Sequence, residues 1–105
     1  MNGAPLDVTG LWVHSFEEDT ETAAVYRPSG HPFPLSRRPR RELEFRPDGM
    51  FVEARPGPDD RLRERRGHWE SQGTNQVSVT FPQERDAPFV ITVISRTPDT
   101  LTIER

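Results

Sequence analysis

The chain has no cysteine and no lysine, and it is poor in apolar residues. Without cysteine there is no disulfide framework and no thiolate metal site. Hydrophobic residues make up only 31% of the 105 residues, and Leu, Ile, Val and Phe together number 23. That proportion lies just above the level at which chains stay disordered. No run approaches the roughly 18 apolar residues of a membrane-spanning helix. The 11 prolines and 7 glycines leave few uninterrupted stretches, which argues against a helical bundle. A cationic surface is missing too. The 14 basic residues are outnumbered by 17 acidic ones for a net charge of −3, which does not suit a general nucleic-acid binder. The start, Met1-Asn2-Gly3-Ala4-Pro5, has no basic region leading into an apolar core, so no signal peptide is expected and a cytoplasmic location is.

What the chain does have is a short apolar alternation, repeatedly broken by turn residues. Segments 8–16, 20–27, 41–46, 50–55, 61–71, 77–81, 89–94 and 101–105 read as strands. In the third, Leu43 and Phe45 alternate with Glu42, Glu44 and Arg46, and Pro47-Asp48-Gly49 then signals a hairpin. Glu17-Glu18-Asp19, Pro56-Gly57-Pro58-Asp59-Asp60, Gly73-Thr74-Asn75 and Thr97-Pro98-Asp99 read as further turns, and Pro82 to Pro88 as a polar loop. Residues 28–40 form the one long irregular segment, with prolines at 28, 32, 34 and 39. Short connections imply antiparallel neighbours. Eight such strands predict a single all-β domain, an eight-stranded antiparallel up-and-down β-barrel with a Pro-rich, lid-like loop at 28–40. Each strand of a barrel needs only alternate apolar residues, so the low apolar fraction suffices.

Gly10-Leu11-Trp12 opens the first strand after a short arm, and Gly67-His68-Trp69 repeats the spacing in the fifth. The first resembles the Gly-x-Trp signature of lipocalins and related calycin barrels, and the whole strand pattern resembles small lipocalin-like bacterial proteins. The resemblance implies that Trp12 closes the narrow end of the barrel against an arginine, for which Arg96 and Arg105 are the candidates. The absence of Cys departs from secreted lipocalins.

Trp12, His14 and Phe16 share a face in an extended strand, so His14 is expected inside, hydrogen-bonded and available as an acid or base. A metal site of His14, Glu17 and Glu18 is disfavoured by its spacing, because neighbours in a strand alternate faces. The fifth strand is unusual. If Trp69 points inward, parity sends Gly67, Arg65, Arg63 and Arg61 inward as well, and a bulge at Gly67 would reverse this. Inward arginines would pair with a ligand anion or an interior Glu. Outward ones would form ladders with Glu42, Glu44, Glu53 and Glu64. The cluster Ser36-Arg37-Arg38-Pro39-Arg40-Arg41 pairs with the acidic turn at 17–21 or lies in a lid whose apolar underside is Phe33 and Leu35.

The chain carries no nucleophile elbow, Gly-rich phosphate loop or His-Glu-x-x-His. The leading expectation is therefore non-enzymatic binding of a small anionic or aromatic ligand in the lumen. Trp12, His14, Tyr26, Arg63, Arg65 and Trp69 are the candidate contacts. One alternative is a cyclase- or isomerase-type enzyme with His14 as acid or base. Another is an interaction module using the 28–40 loop. No metal, cofactor, nucleic acid or membrane partner is expected, and the chain is expected to be a monomer or homodimer.

Overall fold

A computed structural model describes residues 7–59, 61–82 and 88–105. The N-terminal arm before Asp7, Asp60 of the second turn and residues 83–87 of the polar loop lie outside the described residues. Eight strands form where the alternation predicts them. They are β1 Gly10–His14, β2 Ala23–Pro28, β3 Glu42–Phe45, β4 Met50–Pro56, β5 Leu62–Gln72, β6 Gln76–Thr80, β7 Phe89–Thr97 and β8 Thr100–Glu104. The acidic turn closes as a short 3₁₀ turn, Phe16–Glu18. Gly49 and Gly73 turn two of the hairpins at positive φ, +91° and +68°, where a side chain would be strained.

The strands close into a barrel in which each runs antiparallel to both neighbours. From β3 to β8 the chain is a plain meander. β8 then pairs with β2, and β1 sits between β2 and β3. Both β2 and β3 are antiparallel to β1, so they run in the same direction. The connection 29–41 must therefore travel back along the barrel past β1, which explains the single long segment that is neither hairpin nor strand. Val13, which parity turns outward on β1, is buried nonetheless.

Inside, period-two alternation stacks Trp12, Tyr26, Leu43, Phe45, Phe51, Val77, Val79, Ile91, Val93, Leu101 and Ile103 into one apolar core, closed by Val8 and Phe81. β5 pairs with β4 and β6 without a register shift, so Gly67 is not bulged and the simple parity holds. Gly67 faces Phe51 in register. A Cβ there would collide with the Thr80 carbonyl oxygen and lie 2.8 Å from the Phe81 ring. Arg65 consequently shares the inner side with Trp69. Glu53, expected as an outer-face partner in a ladder, lies instead inside the barrel and is fully buried. The parity of Phe51, two residues earlier, places it there. The outer face carries other Arg–Glu pairs, Arg46 with Glu44 and Arg66 with Glu64. Among the described residues, no helix is long and apolar enough to cross a membrane.

Candidate functional site

Arg41 immediately precedes β3 and keeps the parity of Leu43 and Phe45. Its carbonyl accepts a 2.8 Å hydrogen bond from His14 N, which extends the β1–β3 ladder by one step and fixes the Arg41 backbone. Glu53 follows Phe51 on β4, and Arg65 stands opposite Glu53 on β5. Three adjacent strands thus deliver one charged side chain each to the same end of the barrel interior.

The Glu53 carboxylate bridges the two arginines. Its Oε2 accepts from Arg41 Nε at 2.9 Å and from Arg41 Nη2. Its Oε1 accepts from Arg65 Nε at 3.1 Å and Arg65 Nη2 at 3.0 Å. Burial pushes the Glu53 carboxyl up, but the Arg41 charge and hydrogen bonds, with those of Arg65, override this and hold it below the ordinary range. A fully buried carboxylate needs such partners to remain ionised. The guanidiniums are not sealed in, because the Arg41 and Arg65 side chains stay 33% and 31% exposed. The Arg65 guanidinium also lies 3.9 Å from the Phe81 ring centroid, and Phe81 stacks on Phe89 at 5.7 Å.

On the other side, Arg41 Nη1 donates to Tyr26 Oη at 3.3 Å. Burial pushes the Tyr26 hydroxyl up, so it stays protonated at neutral pH. The Tyr26 ring stacks on the His14 imidazole, centroids 4.8 Å apart at 20°. His14 Nε2 meets the Asp19 carboxylate at 2.9 and 3.1 Å. Asp19 is itself fixed, since its Oδ1 accepts from Val25 N at 2.9 Å. The order Arg65, Glu53, Arg41, Tyr26, His14, Asp19 is one continuous set of contacts.

The crossover is latched beside this set. Arg40 bonds both Glu17 oxygens at 2.6 and 2.8 Å, with its guanidinium 4.5 Å from the Phe16 ring and 4.7 Å from that of Phe33. Arg27 grips Glu18 in the same way, at 2.7 and 2.8 Å. Hydrogen bonds from Arg40 and Arg27 hold the Glu17 and Glu18 carboxyls down at about 2. His14, Glu17 and Glu18 therefore have three separate partners and do not converge. Leu35, expected on the underside of a lid, is fully exposed, and Phe33 is half-buried against the His31 ring and the Arg40 guanidinium.

The remaining candidates lie elsewhere. Trp12 is buried, donates from Nε1 to the Val8 carbonyl at 2.9 Å, and carries the Arg96 guanidinium 5.1 Å from its ring centroid. Arg96 is thus its partner, while Arg105 bonds the Thr20 carbonyl. Trp69 packs edge-on against Phe45 and donates to the Arg46 carbonyl at 2.9 Å, beside the β3–β4 hairpin. Arg41 stands at the opposite end of β3 from that hairpin, and Glu53 midway along β4. Arg63 is largely exposed and pairs with Asp59 at 3.5 Å. Of the six candidates, His14, Tyr26 and Arg65 come together. Arg41, Glu53 and Asp19 join them without having been singled out in the sequence. No family model, no curated protein and no solved structure matches the chain.

Proposed function

We propose that this is a lipocalin-like barrel that binds a small aromatic or amphipathic anion at the end where Arg41 and Arg65 stand. One observation carries the reading: two partly exposed guanidiniums, from Arg41 and Arg65, are held by one buried carboxylate and reach solvent from the same part of the barrel's inner face. Glu53 orients both forks in advance, so an incoming carboxylate or phosphate finds donors already aimed. Aromatic pairs flank the charges, His14 on Tyr26 to one side and Phe81 on Phe89 to the other. The apolar core fills the barrel towards Trp12, so the ligand occupies the charged end rather than the whole lumen. The Trp12–Arg96 pair supports the lipocalin-like part of the reading.

The test is calorimetry and thermal shift with phenylacetate, phenylpyruvate and a short fatty acid, each against its neutral amide. Binding of the acids but not the amides, abolished in Arg65→Gln, is the expected result. Equal response to acids and amides, or none to any acid, overturns the reading. The interaction-module alternative rests on Leu35 alone, and one exposed leucine is not a patch.

A further inference from the structure

We propose that the outer face of β6, β7 and β8 is the surface on which this chain meets a second copy of itself, packed sheet on sheet about a two-fold axis beside Thr92. The inference is independent of the anion-binding reading above, because these side chains point away from the barrel interior.

The outside of the barrel is not uniform. Over β3 and β5 it carries Glu42, Glu44, Glu64, Arg66 and Glu70. Over β6 and β7 the outward positions hold no charged side chain among the described residues. Ser78 stands beside Val90 and Gln76 beside Thr92 in register, and Thr102 of β8 stands beside Ser95. The chain as a whole is 30% charged, so this face is depleted rather than typical. Val90 and Ile94 are 50% and 54% exposed on it. Val52 points outward on β4 in the same way, yet it is buried, with Glu44 and Arg66 beside it in register. The two β7 side chains have no such cover. Glu70, Arg27 and Glu104 border the face, which gives the neutral centre and charged rim of a protein interface.

Symmetry selects the occupant. The barrel is closed and leaves no free edge for strand addition, so a second copy must use a face. At a two-fold axis each side chain meets its own kind. Carboxylates or guanidiniums would repel their counterparts there. Hydroxyls and amides both donate and accept, and alkyl groups pack on alkyl groups. Thr92 and Gln76, side by side at the middle of the face, suit such an axis.

The apolar residues fit the same axis. Val90 and Ile94 lie two residues to either side of Thr92 on one strand. A two-fold axis in the plane of the interface, crossing β7 at Thr92, lays the strand antiparallel on its copy. Val90 then meets Ile94 of the second copy, and Ile94 meets Val90, in two equivalent contacts about 13 Å apart. Charge acts in the same sense. Two copies of net charge −3 repel, and they approach at least cost through the face that carries no charge. A strongly charged partner would find no counter-charge on it.

The experiment is sedimentation equilibrium of the full chain from about 10 µM to about 1 mM, the range of a weak, face-packed dimer. Wild type is expected to dimerise across it. Thr92→Glu and Thr92→Arg should each weaken association at least about 10-fold, since each sets two like charges together at the axis. An equimolar mixture of the two variants should dimerise again, because the mixed pair brings opposite charges together. A second measurement needs no variant. In a dilution series followed by amide NMR, the resonances of Val90, Thr92 and Ile94 should shift with concentration while those of Glu42 and Glu64 stay fixed. A wild-type chain that is monomeric at about 1 mM overturns the inference and leaves the face to a different protein. A dimer that tolerates both charges, or shifts confined to β3 and β5, places the contact elsewhere and overturns it as well. Loss in both variants without recovery in the mixture overturns the two-fold arrangement about Thr92.

Discussion

Arg96 lies over the Trp12 indole because β7 carries one extra residue. Up to Val93 the inner positions of β7 are Phe89, Ile91 and Val93, each odd. Plain alternation would turn Ser95 inward and Arg96 out. The register shifts between Val93 and Ser95, and Arg96 comes to stand opposite Leu101, an inward residue of β8. Its guanidinium then reaches the Trp12 ring at 5.1 Å, and Nη1 donates to the Thr97 carbonyl at 2.9 Å. Two strands distant in sequence are closed at this end of the barrel by a cation on an aromatic face.

Arg96→Ala should therefore cost stability out of proportion to its partial exposure. The cation–π contact contributes about 0.5–2 kcal/mol, and the stem that covers the indole adds to it. A loss of about 1–3 kcal/mol in urea unfolding is expected, with Arg96→Met recovering the part due to the stem. A loss below about 0.5 kcal/mol in both variants would show that Trp12 holds its position through Val8 and the core alone.

Glu53→Gln is expected to be costly and to change the acid response. The amide leaves two guanidiniums close together without their shared counter-charge, a change that costs about 3–5 kcal/mol at buried pairs and less here, where the arginines reach solvent. The pH dependence has a definite sign. Glu53 has a lowered carboxyl pKa in the folded state, so its contribution is present above the ordinary glutamate value and disappears as pH falls through the folded one. Glu17 and Glu18, held at about 2, lose theirs between about pH 4.5 and 2. Wild type and Glu53→Gln should differ most near pH 7, and their unfolding curves should converge on acidification. A gap that stays constant from pH 7 to 2 would contradict the ionised state of Glu53.

The strands and their closure were legible because alternation and turn residues are local signals. Parity from Trp69 also placed Arg65 inside, and no bulge at Gly67 intervened. The charged cluster was only half legible. Arg41 and Glu53 carry the parity of Leu43, Phe45 and Phe51, so the inward direction could be read. Arg41, however, closes a run of arginines whose other members face outward or reach the acidic turn. Glu53 looks like its neighbours Glu42 and Glu44, which do lie outside. What separates them is the register across β3, β4 and β5, a non-local property. The same limit applies to the choice between Arg96 and Arg105, which a bulge decided. It applies also to β1, whose insertion between β2 and β3 is set by the barrel's closure with β8.

The last prediction asks whether the arginine–glutamate cluster exists for the barrel or for a ligand. Replacing a buried ionic group by apolar residues of similar size is often neutral or stabilising, because desolvation offsets most of the attraction. Arg41→Met, Glu53→Leu and Arg65→Met together remove both guanidiniums and the carboxylate that they share. The stems of the two methionines still cover Phe81 and Tyr26. Tyr26 Oη loses the Arg41 donor, and that bond is long at 3.3 Å. The triple variant should match wild type within about 1 kcal/mol, or exceed it, while binding no aromatic carboxylate. Single Glu53→Gln should be the less stable of the two proteins. A triple variant that unfolds would mean that the charges hold β3, β4 and β5 in register. One that still binds phenylacetate would place the ligand elsewhere in the molecule. Stability kept and binding lost is the outcome expected of charges retained for a ligand.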